Sequence, residues 1–146
     1  MALHLLDVNA LIALGWDAHL HHDTMLAWFK RHAHEGWATC AFNHAGFVRV
    51  LSQPALGAAA SSVADLSESL ASNLAHPAHR FVALNFGFAD VLACCTGGVV
   101  GHRQVRDAYL LTAAIRTRMK LLTFDAGVGM LLASDTERKA HVLTLA

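Results

Sequence analysis

Short apolar runs alternate along this chain with segments of helical period, and no other feature narrows the fold as far. Leu3 to Leu6 is such a run, ends at Asp7 and reads as a buried strand. Trp37-Ala38-Thr39-Cys40, Arg80 to Leu84, Lys120 to Phe124 and His141 to Leu145 read the same way. Between them, helices are predicted through Ala10 to Leu14, stopping near Gly15, and from about His21 to His34. Met25, Trp28, Phe29 and His32 recur at helical spacing in the second helix, and Gly36 marks its end. Further helices are predicted over Phe42 to Leu51, Ala58 to Leu74, Phe88 to Cys95 and Gln104 to Arg118, with a short helical turn from Met130 to Ala133. Strands alternating with helices form βαβ units. The expected fold class is α/β: three layers, α/β/α, with a mostly parallel central sheet covered on both faces.

The 146 residues fit a single domain, 1–146, with enough chain to bury a core. Charged residues make up only 15% and the formal net charge is zero. Contact with a polyanion must therefore come from a local patch and not from the field of the whole molecule. No apolar run reaches membrane-spanning length, and the first residues lack the charged and apolar regions of a secretory signal. Cys40, Cys94 and Cys95 form no metal-ligand pattern, and an odd count argues against an oxidising compartment. The chain is expected to be soluble and cytoplasmic, away from membranes. Its 11 histidines cluster partly at helix ends, as His19, His21 and His22 and again as His32 and His34. These read as solvated helix-end side chains in preference to a second metal site.

Acidic residues are scarce, so their positions carry information. Asp7 falls at the carboxyl end of the first predicted strand, and Asp125 just past the end of Leu121-Leu122-Thr123-Phe124. Asp107 falls in the first turn of the helix that feeds that strand. Ligands in open α/β sheets bind outside the carboxyl ends of the strands, so all three are aimed at one end of the sheet. Carboxylates brought together repel, and a hard divalent cation such as Mg²⁺ or Mn²⁺ resolves the repulsion. A site of that kind does phosphodiester chemistry. Each acid taken alone is equally at home as a helix cap or a surface residue; Asp107 is favourable at a helix start by the macrodipole.

Three motifs in this order are recognisable. Leu5-Leu6-Asp7-Val8-Asn9-Ala10-Leu11-Ile12 resembles the opening motif of PIN domains, Val105-Arg106-Asp107-Ala108-Tyr109-Leu110-Leu111 their central helix, and Leu122-Thr123-Phe124-Asp125 their strand end. Trp37-Ala38-Thr39-Cys40, Gly46-Phe47-Val48-Arg49-Val50-Leu51 and Gly101-His102-Arg103-Gln104 are similar to the VapC branch of that family. The resemblance implies a PIN fold, Mg²⁺-dependent cleavage of RNA, a homodimer and a cognate VapB-type antitoxin. It also implies that Asp7 and Asp107 are the principal metal ligands and that Asp125 completes the acidic site, through water or as a weaker ligand. Asn9 and Thr123 would support the acids or the attacking water. Trp37 is expected in the packing and not as a stacking platform for RNA.

One position departs from the family pattern. Alignment on Gly46-Phe47-Val48-Arg49 puts His44 where PIN domains usually carry a glutamate. Imidazole is a poor ligand for Mg²⁺ and an acceptable one for Mn²⁺, and it also serves as a general base or phosphate contact. His44 thus leaves open an impaired site, a changed metal preference or a tolerated substitution. Arg103 and Arg106, three apart and flanking Asp107 with His102, are the candidates for RNA phosphate contacts, against the reading of ordinary surface charge. Two competing functions follow. The first is a PIN module that binds RNA or antitoxin without efficient cleavage. The second is a phosphatase of the haloacid-dehalogenase type with Asp7 as nucleophile, which the absence of an acid at Asn9 disfavours.

Overall fold

The computed structural model describes residues 3–146, with the side chains of residues 58 and 59 left aside. Five strands form one sheet: β1 (Leu3–Leu6), β2 (Trp37–Cys40), β3 (His79–Val82), β4 (Met119–Thr123) and β5 (Val142–Thr144). The order is β3-β2-β1-β4-β5. Every pairing is parallel, so the sheet is parallel throughout and not merely for the most part. Parallel strands need crossovers. These are supplied by α1 (Val8–Gly15), α2 (His22–His32), α3 (Ala41–Leu51), α4 (Val63–Leu74), α5 (Phe88–Cys94), α6 (Val105–Arg116) and α7 (Asp135–His141). Helices α1 to α4 pack on one another, and α6 packs against both α5 and α7. The right-handed rule for parallel crossovers puts the two groups on opposite faces of the sheet, which makes the three layers.

The central strands are apolar because they are covered on both sides. Leu5, Leu6, Leu121 and Leu122 are wholly buried. Burial of each such side chain is worth about 1.5–3 kcal/mol. Trp37 is also buried, edge-on to Phe29 of α2, and so belongs to the core as its strand position implied. Among the described residues no helix is long and apolar enough to cross a membrane. All three cysteines are free thiols, Cys40 and Cys95 of them buried.

Several element boundaries differ from the sequence reading. Helix α4 begins at Val63, capped by the Ser62 hydroxyl, because Pro54–Ala59 turns as 3-10 helix before it. Strand β3 stops at Val82, short of Leu84, and β4 runs from Met119 to Thr123, one residue earlier than expected. Helix α6 ends at Arg116, and Arg118 adopts φ 59° to turn the chain into β4. The turn expected at Met130 to Ala133 lies earlier, over Ala126–Leu131. Helix α7 was not anticipated at all. It carries no apolar face, and its one sequence signal is the capping box Ser134-Asp135-Thr136-Glu137, in which each end residue bonds the other's backbone N–H.

Candidate active site

Strand order reverses at β1, with β2 and β3 to one side and β4 and β5 to the other. The crevice beyond the β1 and β4 ends is therefore the switch point where an open parallel sheet takes ligands. Asp7 follows β1 directly. Its N–H donates to Leu122 O at 2.8 Å, which locks its backbone to β4. Its carboxylate caps α1 by accepting from Val8 N at 2.6 Å through Oδ1, while Oδ2 accepts from the Thr123 hydroxyl at 2.7 Å. That hydroxyl in turn accepts from Asn9 Nδ2 at 3.3 Å and from Asp125 N at 3.0 Å. Asn9 Oδ1 accepts from Phe124 N at 3.2 Å, so Asn9 and Thr123 clasp the two strand ends together.

Helix α3 is held against this end of the sheet by two contacts. Asn43 accepts from Cys40 N at 2.7 Å and donates to Leu6 O at 2.6 Å, tying the helix start to the last residue of β1. Gly46 lies so close to α1 that a Cβ there would stand 2.6 Å from Val8 Cγ1 and force Val8 or the helix to shift. Between α3, α1 and the start of α6 lies a cavity of about 320 Å³. Asp7, Asp107 and Asp125 all line it, with Asn9, Arg49, Arg103 and Arg106. A larger depression of about 570 Å³ lies between β3 and the end of α6, but no carboxylate lines it, so size does not locate the chemistry.

The electrostatics follow from the crowding. Burial, and then the charges of Asp7 and Asp125, push the Asp107 carboxyl up to about 6. Burial also raises Asp7, opposed by its bonds from Thr123 and Val8 and by the Arg106 charge. The three acids line one cavity without converging into a ready-made cage; among the described residues no group of three His, Cys, Asp or Glu side chains is close enough to hold a metal by itself. The donor set is nonetheless hard oxygen throughout. It fits an ion such as Mg²⁺, which takes one or two carboxylates and keeps several waters.

His44 stands apart from the acids. It is not among the residues lining their cavity, and its Nε2 is 2.7 Å from the Thr39 hydroxyl, which also lies 2.8 Å from His79 Nε2. With one hydrogen, the hydroxyl donates to at most one ring, so at least one of the two rings donates to it. The ring also leans on Phe81 of β3, at 5.4 Å between centroids. His102 does not line the cavity either. The histidines at the start of α2 have local partners: His22 Nδ1 donates to Ala13 O, His19 Nδ1 accepts from His21 N, and His21 stacks on Phe124. Sequence reasoning missed Arg49 as a cavity residue. The available signal was its spacing, three residues beyond the Gly46 that packs on the residue after Asp7.

Comparison with known proteins agrees with this geometry. The PIN domain model matches residues 4–129. The chain belongs to the PIN-domain family. It is 43% identical over 141 residues to Ribonuclease VapC38 of Mycobacterium tuberculosis, covering 97% of this chain and 98% of that protein. Ribonuclease VapC39 of the same organism is 36% identical over 85% of this chain and 89% of its own length. Ribonuclease VapC44 is also 36% identical, over 97% and 98% respectively. The PIN resemblance read from the motifs, and its VapC character, are thereby shown, as is the α/β/α fold class.

Proposed function

We propose that the cavity at the β1/β4 switch point is the centre of a metal-dependent ribonuclease that hydrolyses RNA phosphodiester bonds. The observation that carries this is the gathering of Asp7, Asp107 and Asp125 from distant segments onto one cavity, where burial first and the neighbouring acids second lift Asp107 to about 6. Capping accounts for Asp7 and Asp125 one at a time; a bound cation accounts for all three acids on one cavity. Asp7 and Asp107 would be the principal ligands for Mg²⁺, with Mn²⁺ as an alternative ion, and Asp125 would complete the site through water or as a weaker ligand. When bound, the metal polarises a phosphoryl oxygen and lowers the pKa of a water for in-line attack. Asn9 and Thr123 hold Asp7 and the Asp125 backbone in place, and Arg103 and Arg106 contact phosphate at the rim.

The VapC relatives support reading the chain as the toxin of a type II toxin–antitoxin system with a VapB-type antitoxin as partner; a cytoplasmic location and a homodimer belong to the same proposal. Incubation of the purified protein with labelled RNA in Mg²⁺ or Mn²⁺ tests the central reading. Cleavage that disappears on Asp7→Ala and with chelator supports it. His44 favours one second reading, since its imidazole bonds Thr39 and adds no ligand to the acids. In that reading the chain is a PIN module that holds RNA or antitoxin without efficient cutting, and RNA binding without cleavage in either metal would select it.

A further inference from the structure

We infer that Arg49 is a phosphate-binding residue for the RNA strand, seated across the acidic cavity from Arg103 and Arg106 and taking a phosphate that neighbours the one at the acids. The inference rests on the ribonuclease reading and adds a second wall to it. Arg103 and Arg106 stand at the start of α6, whereas Arg49 stands near the end of α3, and all three line the one cavity. The α3 wall is fixed, because Asn43 bonds Leu6 O and Gly46 abuts Val8.

Among the described residues the Arg49 guanidinium makes no ion pair within 4.0 Å and no side-chain hydrogen bond, although three carboxylates share its cavity. Its charge is therefore held by no partner among the described residues. A planar fork of donors, exposed and unengaged at the edge of an acid-floored cavity, is the chemistry that recognises a phosphodiester anion. The cavity has no lysine in its lining, so its positive charge is wholly of this directional kind. A strand lying between α3 and the start of α6 would have its reacting phosphate over the acids and adjoining phosphates on either wall.

The test is binding of a fluorescent single-stranded RNA by anisotropy across a salt series, in an Asp107→Asn background that prevents cleavage. One lost phosphate contact lowers the slope of log K against log salt by about 0.7 for a single strand. Arg49→Ala is expected to lower it by that amount whatever the RNA sequence, Arg49→Lys to keep most of it, and Arg31→Ala, on the exposed face of α2, to leave it alone. In the protein with Asp107 intact, Arg49→Ala should raise KM and spare kcat. An unchanged slope with Arg49→Ala, or an equal fall with Arg31→Ala, overturns the role of Arg49 while leaving the nuclease reading intact. Failure of the Asp107→Asn protein and of the unaltered protein in Ca²⁺ to bind RNA at all would instead overturn both.

Discussion

The Thr123 hydroxyl donates to Asp7 Oδ2 across 2.7 Å and, through the same oxygen, accepts from Asn9 and Asp125. One side chain thus bonds the carboxylate of one acid and the backbone of another. Thr123→Val keeps the shape and removes all three bonds. Loss of an outer partner of this kind lowers metal affinity or activity by about 10–100-fold. Thr123→Ser should retain most of both, measured as Mg²⁺-dependent cleavage and by metal titration. Equal activity in the Val variant would remove Thr123 from the machinery.

Asp107 sets a pH dependence whose sign is fixed. Its carboxyl titrates near 3.8 in the unfolded chain and near 6 in the fold. Between those values the native state holds a proton that the unfolded state has released, so without metal the contribution of Asp107 makes stability fall as pH rises through the window. Melting midpoints in chelator should show that fall, Asp107→Asn should abolish it, and saturating Mg²⁺ should oppose it. Under the proposed metal role, cleavage should rise as pH passes through that interval and the carboxyl loses its proton.

His44 touches Thr39 and Phe81 and not the acids. His44→Ala is therefore expected to weaken the fold by about 1 kcal/mol, the net worth of an ordinary hydrogen bond. Cleavage by the folded fraction should be unchanged. Denaturant midpoints and cleavage rates separate the two effects; a large loss of rate at undiminished stability would place the imidazole in the chemistry.

Arg118 adopts a left-handed backbone at φ 59°, just past the end of α6, where glycine is the usual residue. A side chain there is disfavoured by about 1–2 kcal/mol. Arg118→Gly relieves that strain, against a larger entropy loss for glycine of about 0.5–1 kcal/mol. A rise in stability of up to about 1 kcal/mol is expected, with cleavage unaffected, because Arg118 lines no part of the acidic cavity. Urea unfolding measures the first and the RNA assay the second.

The acids were legible because each ends a strand or opens a helix, and a parallel sheet sends those positions to one edge. Asn9 and Thr123 were legible through their motifs, although only coordinates show that Thr123 serves Asp7, Asn9 and Asp125 at once. Helix α7 escaped because the segment Asp135–His141 has no buried residue, and periodicity reports only faces that are buried. Arg49 escaped for a related reason: a single arginine on a helix surface is indistinguishable from solvated charge until the helix is placed. His44 aligned with an acid in the family pattern, yet side-chain direction within one helical turn depends on its partners, and Thr39 supplies one away from the cavity.

The bond between Asp7 and Thr123 spans 116 residues of chain. Strand β1 is synthesised first, but its acid has no fixed address until β4, which starts at Met119, lies beside it and Leu122 O receives the Asp7 N–H. A polypeptide released before that point lacks Thr123 and Asp125 entirely. A truncated product therefore carries Asp7 without the groups that seat it, and the acidic cavity is complete only once most of the chain has been made.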